Sequence, residues 1–165
     1  MKKKHLSIHY QYFESFHELD QASQELIEAA RNAMERAYAP YSNFKVGAAI
    51  RFEDQSLIEG NNQENAAYPS GLCAERVALF YAGAQFPDKK VTDMAVIASS
   101  ISDTSFAEVV SPCGSCRQVM LETRIRQKSN FRVILVSVKG DGIIFNTIED
   151  LLPFSFNLSS LLSSH

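Results

Sequence analysis

The chain has 165 residues, enough for one domain with its own core, and 45% apolar with 21% charged residues is an ordinary soluble globular composition. A net charge of −3 argues against a nucleic-acid surface, which needs a clustered basic face. No stretch approaches the roughly 20 apolar residues of a membrane span.

Lys2, Lys3 and Lys4 form the only tight basic run and read as a solvated tip. Ser7, His9, Gln11, Glu14 and His17 interrupt the next stretch, so no signal peptide is expected. Ile8, Tyr10 and Tyr12 alternate, as in a short strand or a docked arm. Residues 1–20 carry no motif that assigns them a role and read as an N-terminal extension to a single domain spanning 1–165.

A helix is predicted over about 20–38, with Leu26, Ile27, Ala30, Met34 and Ala37 at helical spacing and Pro40 as its stop. Phe44, Val46, Ala48 and Ile50 alternate with Lys45, Gly47 and Ala49, as in a strand. Glu53-Asp54-Gln55 reads as a hairpin turn into a second strand that begins at Leu57 and Ile58 and runs into Gly60-Asn61-Asn62. A loop reaches Pro69-Ser70-Gly71, and a helix runs from Leu72 to Gln85, its core face set by Val77, Ala78, Phe80 and Tyr81. Met94 to Ala98 is a continuous apolar run, as in a strand covered on both faces. Cys113 to Ile125 is a third helix; Arg124, Arg126 and Lys128 lie at its end, where cations favour the dipole. Val133–Val138 and Ile143–Phe145 are further strands, and Ile148–Leu152 makes one helical turn. The order implies an α/β fold with a mixed sheet.

The three cysteines fall in two motifs: Cys73-Ala-Glu-Arg76 and Pro112-Cys-Gly-Ser-Cys116. An odd count without a secretion signal argues against a disulfide framework and for the cytoplasm, where thiols stay reduced. Cys113 and Cys116 are three apart in the first turn of a helix, so both sulfurs point the same way. Helix N-termini favour the thiolates that zinc needs. Three thiolates fill three corners of a zinc tetrahedron and leave the fourth for water, the mark of a catalytic site. C-x-E followed by P-C-x-x-C is the layout of zinc nucleobase deaminases. Glu75 would then take a proton from the water and pass it on. Three thiolates on one dication leave a net charge of −1, and Arg76 is the candidate to offset it with hydrogen bonds to sulfur. A surface ion pair is the alternative for Arg76. A structural zinc knuckle lacks a fourth ligand here, since His5, His9, His17 and His165 all lie near the chain ends. A redox pair would leave Cys73 and Glu75 without a use.

On these motifs the chain resembles the short homotetrameric cytidine deaminases with three cysteine ligands. The resemblance runs from about residue 25 to 156. It includes Tyr41-Ser-Asn-Phe-Lys-Val-Gly-Ala-Ala49, Asn62-Gln-Glu-Asn-Ala-Ala-Tyr68, the two cysteine motifs, and Leu151-Leu-Pro153. It implies an α/β/α sandwich around a five-stranded mixed sheet. It implies one zinc ion per chain on Cys73, Cys113 and Cys116, with Glu75 moving protons. It also implies that Asn62 and Glu64 hold the ribose 3′-hydroxyl and that Phe44 packs on the pyrimidine. The backbone around Ala74 and Ser111 would contact the base and its leaving amine. Gln63 stands where relatives are usually apolar and alternates away from its neighbours. Phe154 and Ser155 stand where relatives commonly read Gly-Ala, while the aromatic that enters a neighbouring subunit's site survives as Phe156.

The leading function is hydrolytic deamination of free cytidine and deoxycytidine in pyrimidine salvage, with no nucleic-acid or membrane partner. Deamination of a cytosine-containing antibiotic is a second enzyme reading, since blasticidin deaminases share the cysteine motifs. A nucleic-acid editing deaminase would use His as its first ligand and a basic or aromatic strand-binding surface. A zinc-stabilised binding module without catalysis comes from a different class. Leu151, Leu152, Phe154, Phe156 and Leu158 make the C-terminal tail unusually apolar, which points to an interface.

Overall fold

In a computed structural model, residues 1–157 and residue 161 are described; Leu158, part of the expected apolar tail, lies outside them. Helix α1 (Gln21–Glu35) starts where the Asp20 carboxylate accepts the Ser23 N–H at 2.9 Å. Leu26, Ile27, Ala30 and Met34 are buried as the spacing predicts. The helix ends at Glu35, short of residue 38, because the next residues have other partners. Tyr38 donates its N–H to the Asn62 carbonyl (3.1 Å), and its carbonyl accepts from Glu64 N–H (2.9 Å), which ties this stretch to the segment after the second strand of the hairpin.

Strands β1 (Gln11–Phe13), β2 (Phe44–Phe52), β3 (Leu57–Asn61), β4 (Val91–Ser100), β5 (Arg132–Val136) and β6 (Gly142–Phe145) form one sheet in the order β1-β6-β5-β4-β2-β3. Among these strands, β4 and β5 pair in parallel and the other neighbours antiparallel, so the sheet is mixed. Among the described residues it has six strands rather than the expected five. The extra strand is β1, antiparallel to β6, and Phe13 is what seats it. Phe13 is buried, and its ring occupies the space where a Cβ on Gly142 would stand. Tyr10 and Tyr12, the alternating residues visible in sequence, are exposed, with the Tyr10 ring 6.0 Å from that of Phe145.

Helices α2 (Ala74–Gln85), α3 (Gly114–Gln127) and α4 (Ile148–Leu151) complete the fold. Successive sheet residues feed two separate cores. Ala48, Ile50, Met94, Val96, Val133 and Leu135 join residues of α2, α3 and α4. Ala49, Ala95, Ile97, Ile134 and Val136 join α1.

The buried face of α2 differs from the predicted one. Ala74, Ala78, Leu79 and Ala82 are buried, while Phe80 and Tyr81 are about half exposed. The cause is close approach. A Cβ on Gly60 of β3 would lie 2.5 Å from the Ala74 carbonyl and 2.7 Å from Ala78 N. Only small residues fit at that separation, so alanines at i, i+4 and i+8 face the sheet and the aromatics turn outward. This contact brings the first turn of α2 down onto the sheet, where the metal motif needs it.

Candidate metal centre and cleft

Cys73 is the N-cap of α2, and Cys113 is the N-cap of α3. Cys116 lies in the first turn of α3, where its N–H donates to Cys113 Sγ at 3.4 Å. The two helix starts face one another, so all three sulfurs lie within 4.8 Å of each other. Cys73 Sγ is 3.9 Å from Cys113 Sγ, and Cys113 Sγ is 3.3 Å from Cys116 Sγ. Tetrahedral zinc with bonds of about 2.3 Å needs sulfurs about 3.8 Å apart, so the donor set fits that ion. These separations are also far beyond the roughly 2.05 Å of a disulfide, and the cysteines are free.

The electrostatics favour a thiolate at Cys73. The side chain of Cys116, then those of Arg76 and Cys113, lower the Cys73 thiol to about 5 against the opposing effect of burial. Cys116 moves upward, because it is the proton-bearing partner of Cys73 and is buried. Arg76 Nη2 donates to Cys73 Sγ at 3.7 Å, and that thiolate raises the guanidinium's pKa. Arg76 therefore faces sulfur rather than a surface carboxylate.

Glu75 is 4% exposed and lines the same cleft as Cys73 and Cys113. Burial, above all, raises its pKa; the neighbouring Cys73 charge adds to this. A carboxyl pushed upward by desolvation holds a proton more readily than an ordinary carboxylate, as a group that accepts and returns protons must.

The cleft has a volume of about 700 Å³ and is open on one side. Phe44, Asn62, Glu64, Arg76 and Ser111 line it with the centre. Ala74 is fully buried behind it, at the first helical position after Cys73. Phe156 does not line this cleft; it is exposed, and its carbonyl accepts from Gln118 Nε2 at 2.8 Å. Gln63 also reaches the lining, bonded through Nε2 to Asn61 Oδ1 at 2.5 Å.

Asn62 is fixed at both ends: Oδ1 accepts from Val46 N–H (2.8 Å), and Nδ2 donates to the Phe44 carbonyl (2.9 Å). One lone pair and one N–H remain for a ligand. Glu64 accepts from the backbone N–H groups of Tyr41 (2.9 Å) and Ser42 (3.2 Å) and from the Ser42 hydroxyl. The Ser42 hydroxyl contributes most to holding its pKa below the ordinary carboxylate value.

Two supporting groups escape a reading of the sequence. Ser42 orients Glu64, on a turn whose next residue, Asn43, has φ 56°. An Asn in a Tyr-Ser-Asn-Phe stretch before a strand is the available signal. Phe106 packs edge-on against Phe44 at 5.3 Å between ring centres. It comes from an irregular loop with no periodicity to mark it.

Converging thiols for a soft cation and a buried carboxyl for protons, beside an open cleft, define a metal-dependent hydrolase. Residues 20–146 match the cytidine and deoxycytidylate deaminase zinc-binding region, and the chain belongs to that family. It is 43% identical over 138 residues to a cytidine deaminase of Halalkalibacterium halodurans, covering 84% of this chain and 96% of that protein. It is 39% identical to one of Sporosarcina psychrophila, covering 84% and 93%. The crystal structure of cytidine deaminase from Burkholderia pseudomallei is similar, with a TM-score of 0.69 and 42% identity over 81% of this chain and 98% of that one.

Proposed function

We propose that this protein hydrolytically deaminates free cytidine and deoxycytidine to uridine and deoxyuridine, releasing ammonia for pyrimidine salvage. The observation that carries this reading is the buried Glu75 beside three convergent sulfurs on one cleft wall. Cys73, Cys113 and Cys116 would hold one zinc ion per chain, with Arg76 offsetting thiolate charge. Zinc, when bound, supplies a nucleophile at neutral pH by lowering the pKa of water to about 7. Glu75 accepts the proton that the attacking water gives up and delivers it to the pyrimidine N3. It then takes the remaining proton of the hydroxyl added at C4 and passes it to the amine, which leaves as ammonia as the C4–N bond breaks and the carbonyl forms. Asn62 and Glu64, both pre-oriented by backbone bonds, orient the ribose through its 3′-hydroxyl. Phe44 flanks the base, and the backbone near Ala74 and Ser111 meets the base and the amine.

A free nucleoside fits the cleft better than a nucleotide. Among the described residues that line it, Arg76 is the only cation, and it is engaged with Cys73. Glu64 stays ionised at the lip, where it repels phosphate. An ammonia-release assay across cytidine, deoxycytidine, cytosine and blasticidin S tests the reading. Turnover of both nucleosides and of neither other compound is expected. Activity on blasticidin S alone would favour the antibiotic reading, and no ammonia from any of the four would favour a binding module.

The same reading extends to architecture and assembly. Helices on both faces of the sheet support a three-layer α/β/α sandwich, in one domain spanning 1–165 with residues 1–20 as an extension. Free cysteines fit a cytoplasmic setting, and among the described residues no helix is long and apolar enough to cross a membrane. Phe80, Tyr81, Phe154 and Phe156 are all exposed, with Phe154 at 87%. That much aromatic surface supports a homotetramer in which Phe156 completes a neighbouring site. Light scattering should give a mass near four chains. Phe156→Ala should raise KM for cytidine about 2- to 10-fold, the worth of one aromatic stack, with zinc content unchanged. A fully active monomer would overturn both.

A further inference from the structure

Arg117 immediately follows the second motif cysteine, and no ion pair holds it among the described residues. Its guanidinium spends its donors on two backbone carbonyls instead. Nε donates to the Pro112 carbonyl at 2.8 Å, and Nη1 donates to the Leu151 carbonyl at 3.0 Å. The Pro112 carbonyl belongs to the peptide unit whose nitrogen is that of Cys113. Fixing this peptide plane fixes where the Cys113 Cα–Cβ bond starts. Cys113 itself is exposed, so little packing holds it from outside. The Leu151 carbonyl lies in the last turn of α4, and the chain continues from it through Pro153 to Phe156. Arg117 thus stands between a ligand loop and the tail.

The geometry points to Arg117 as the positioning residue of the metal centre, holding the Pro112–Cys113 peptide against the C-terminal end of α4 so that the Cys113 sulfur stays aimed at Cys73 and Cys116. This inference rests on the zinc reading of the three cysteines. Two charge-assisted bonds from one planar fork explain the choice of residue. A lysine in this place offers a single flexible donor point and cannot hold both carbonyls in a fixed relation. Groups that orient a ligand typically control metal affinity by about 10–100-fold.

The test is zinc release from purified, zinc-loaded protein to the chromogenic chelator pyridylazoresorcinol, for wild type, Arg117→Ala, Arg117→Lys and Arg124→Ala. Arg124 makes the other side-chain link from α3 to α4, a 2.9 Å ion pair to Glu149, with no contact to the ligand loop. It therefore controls for loss of helix docking alone. Arg117→Ala should release zinc about 10–100-fold faster than wild type, Arg117→Lys should release it nearly as fast, and Arg124→Ala should match wild type. If Arg117→Ala does not fold, Arg117→Lys carries the same comparison, since it keeps the charge and stem. Wild-type release from both Arg117 variants would overturn the proposal. So would equal acceleration by Arg117→Ala and Arg124→Ala, which marks helix docking alone. A wild-type protein that holds no zinc would overturn the metal reading itself, and is recognised before any variant is compared.

Discussion

Glu75→Gln should keep the fold and one zinc per chain while losing about 10²–10⁴-fold or more in kcat for cytidine. The amide has nearly the volume of the acid, so the packing around a side chain 4% exposed is preserved. What changes is chemistry: an amide neither accepts nor returns a proton, and the proposed reaction uses this group in more than one transfer. Stability gives a second readout with its own sign. Burial raises the Glu75 pKa, so the folded state resists ionising it. An acid with a raised folded pKa weakens the fold once pH rises through its unfolded value. Gln removes that cost, so the melting temperature at neutral pH should equal or exceed that of wild type. Turnover within a factor of ten of wild type would take Glu75 out of the mechanism. A large fall in melting temperature would mean that its carboxylate is structural.

The chemistry of this chain is legible in its sequence because it is carried by local spacing. Cys113 and Cys116 need only one helical turn to converge, and Cys73 and Glu75 share another. What spacing does not contain is the meeting of those two turns, which depends on how closely α2 lies to β3. That distance is set by Gly60 and the alanines at 74 and 78. Periodicity alone assigns the largest apolar residues to the core, which is why it places Phe80 and Tyr81 there. A helix that must come close to a sheet buries its smallest residues instead. β1 is legible in part. The alternation of Ile8, Tyr10 and Tyr12 marks an extended segment where β1 forms, but it does not mark Phe13, on the opposite face, whose burial seats the strand. The bonds around Glu64 lie beyond reach for another cause. Tyr41, Ser42 and Glu64 are joined through backbone N–H groups, and residue identity says little about where a backbone group points.

Removing one ligand sulfur should cost more than removing the proton carrier. Cys116 is the informative position, because it is fully buried while Cys113 is exposed. In Cys116→Ala the core loses one sulfur atom and keeps its β-carbon, so the helix and sheet should still assemble. The centre is left with Cys73 and Cys113, which cannot complete a three-sulfur set. Zinc measured after dialysis against a chelator should fall well below one per chain. Activity should fall below that of Glu75→Gln, since water without the metal has a pKa near 16 rather than about 7. The melting temperature should fall as well, because an ion that binds only the folded chain stabilises it by RT ln(1 + [L]/Kd). Wild-type protein stripped of zinc separates the two causes. It should match Cys116→Ala in activity and regain full turnover when zinc is returned, whereas the variant should not recover. Retention of one zinc per chain by Cys116→Ala would remove this cysteine from the centre, and recovery of the variant with added zinc would show that two sulfurs suffice.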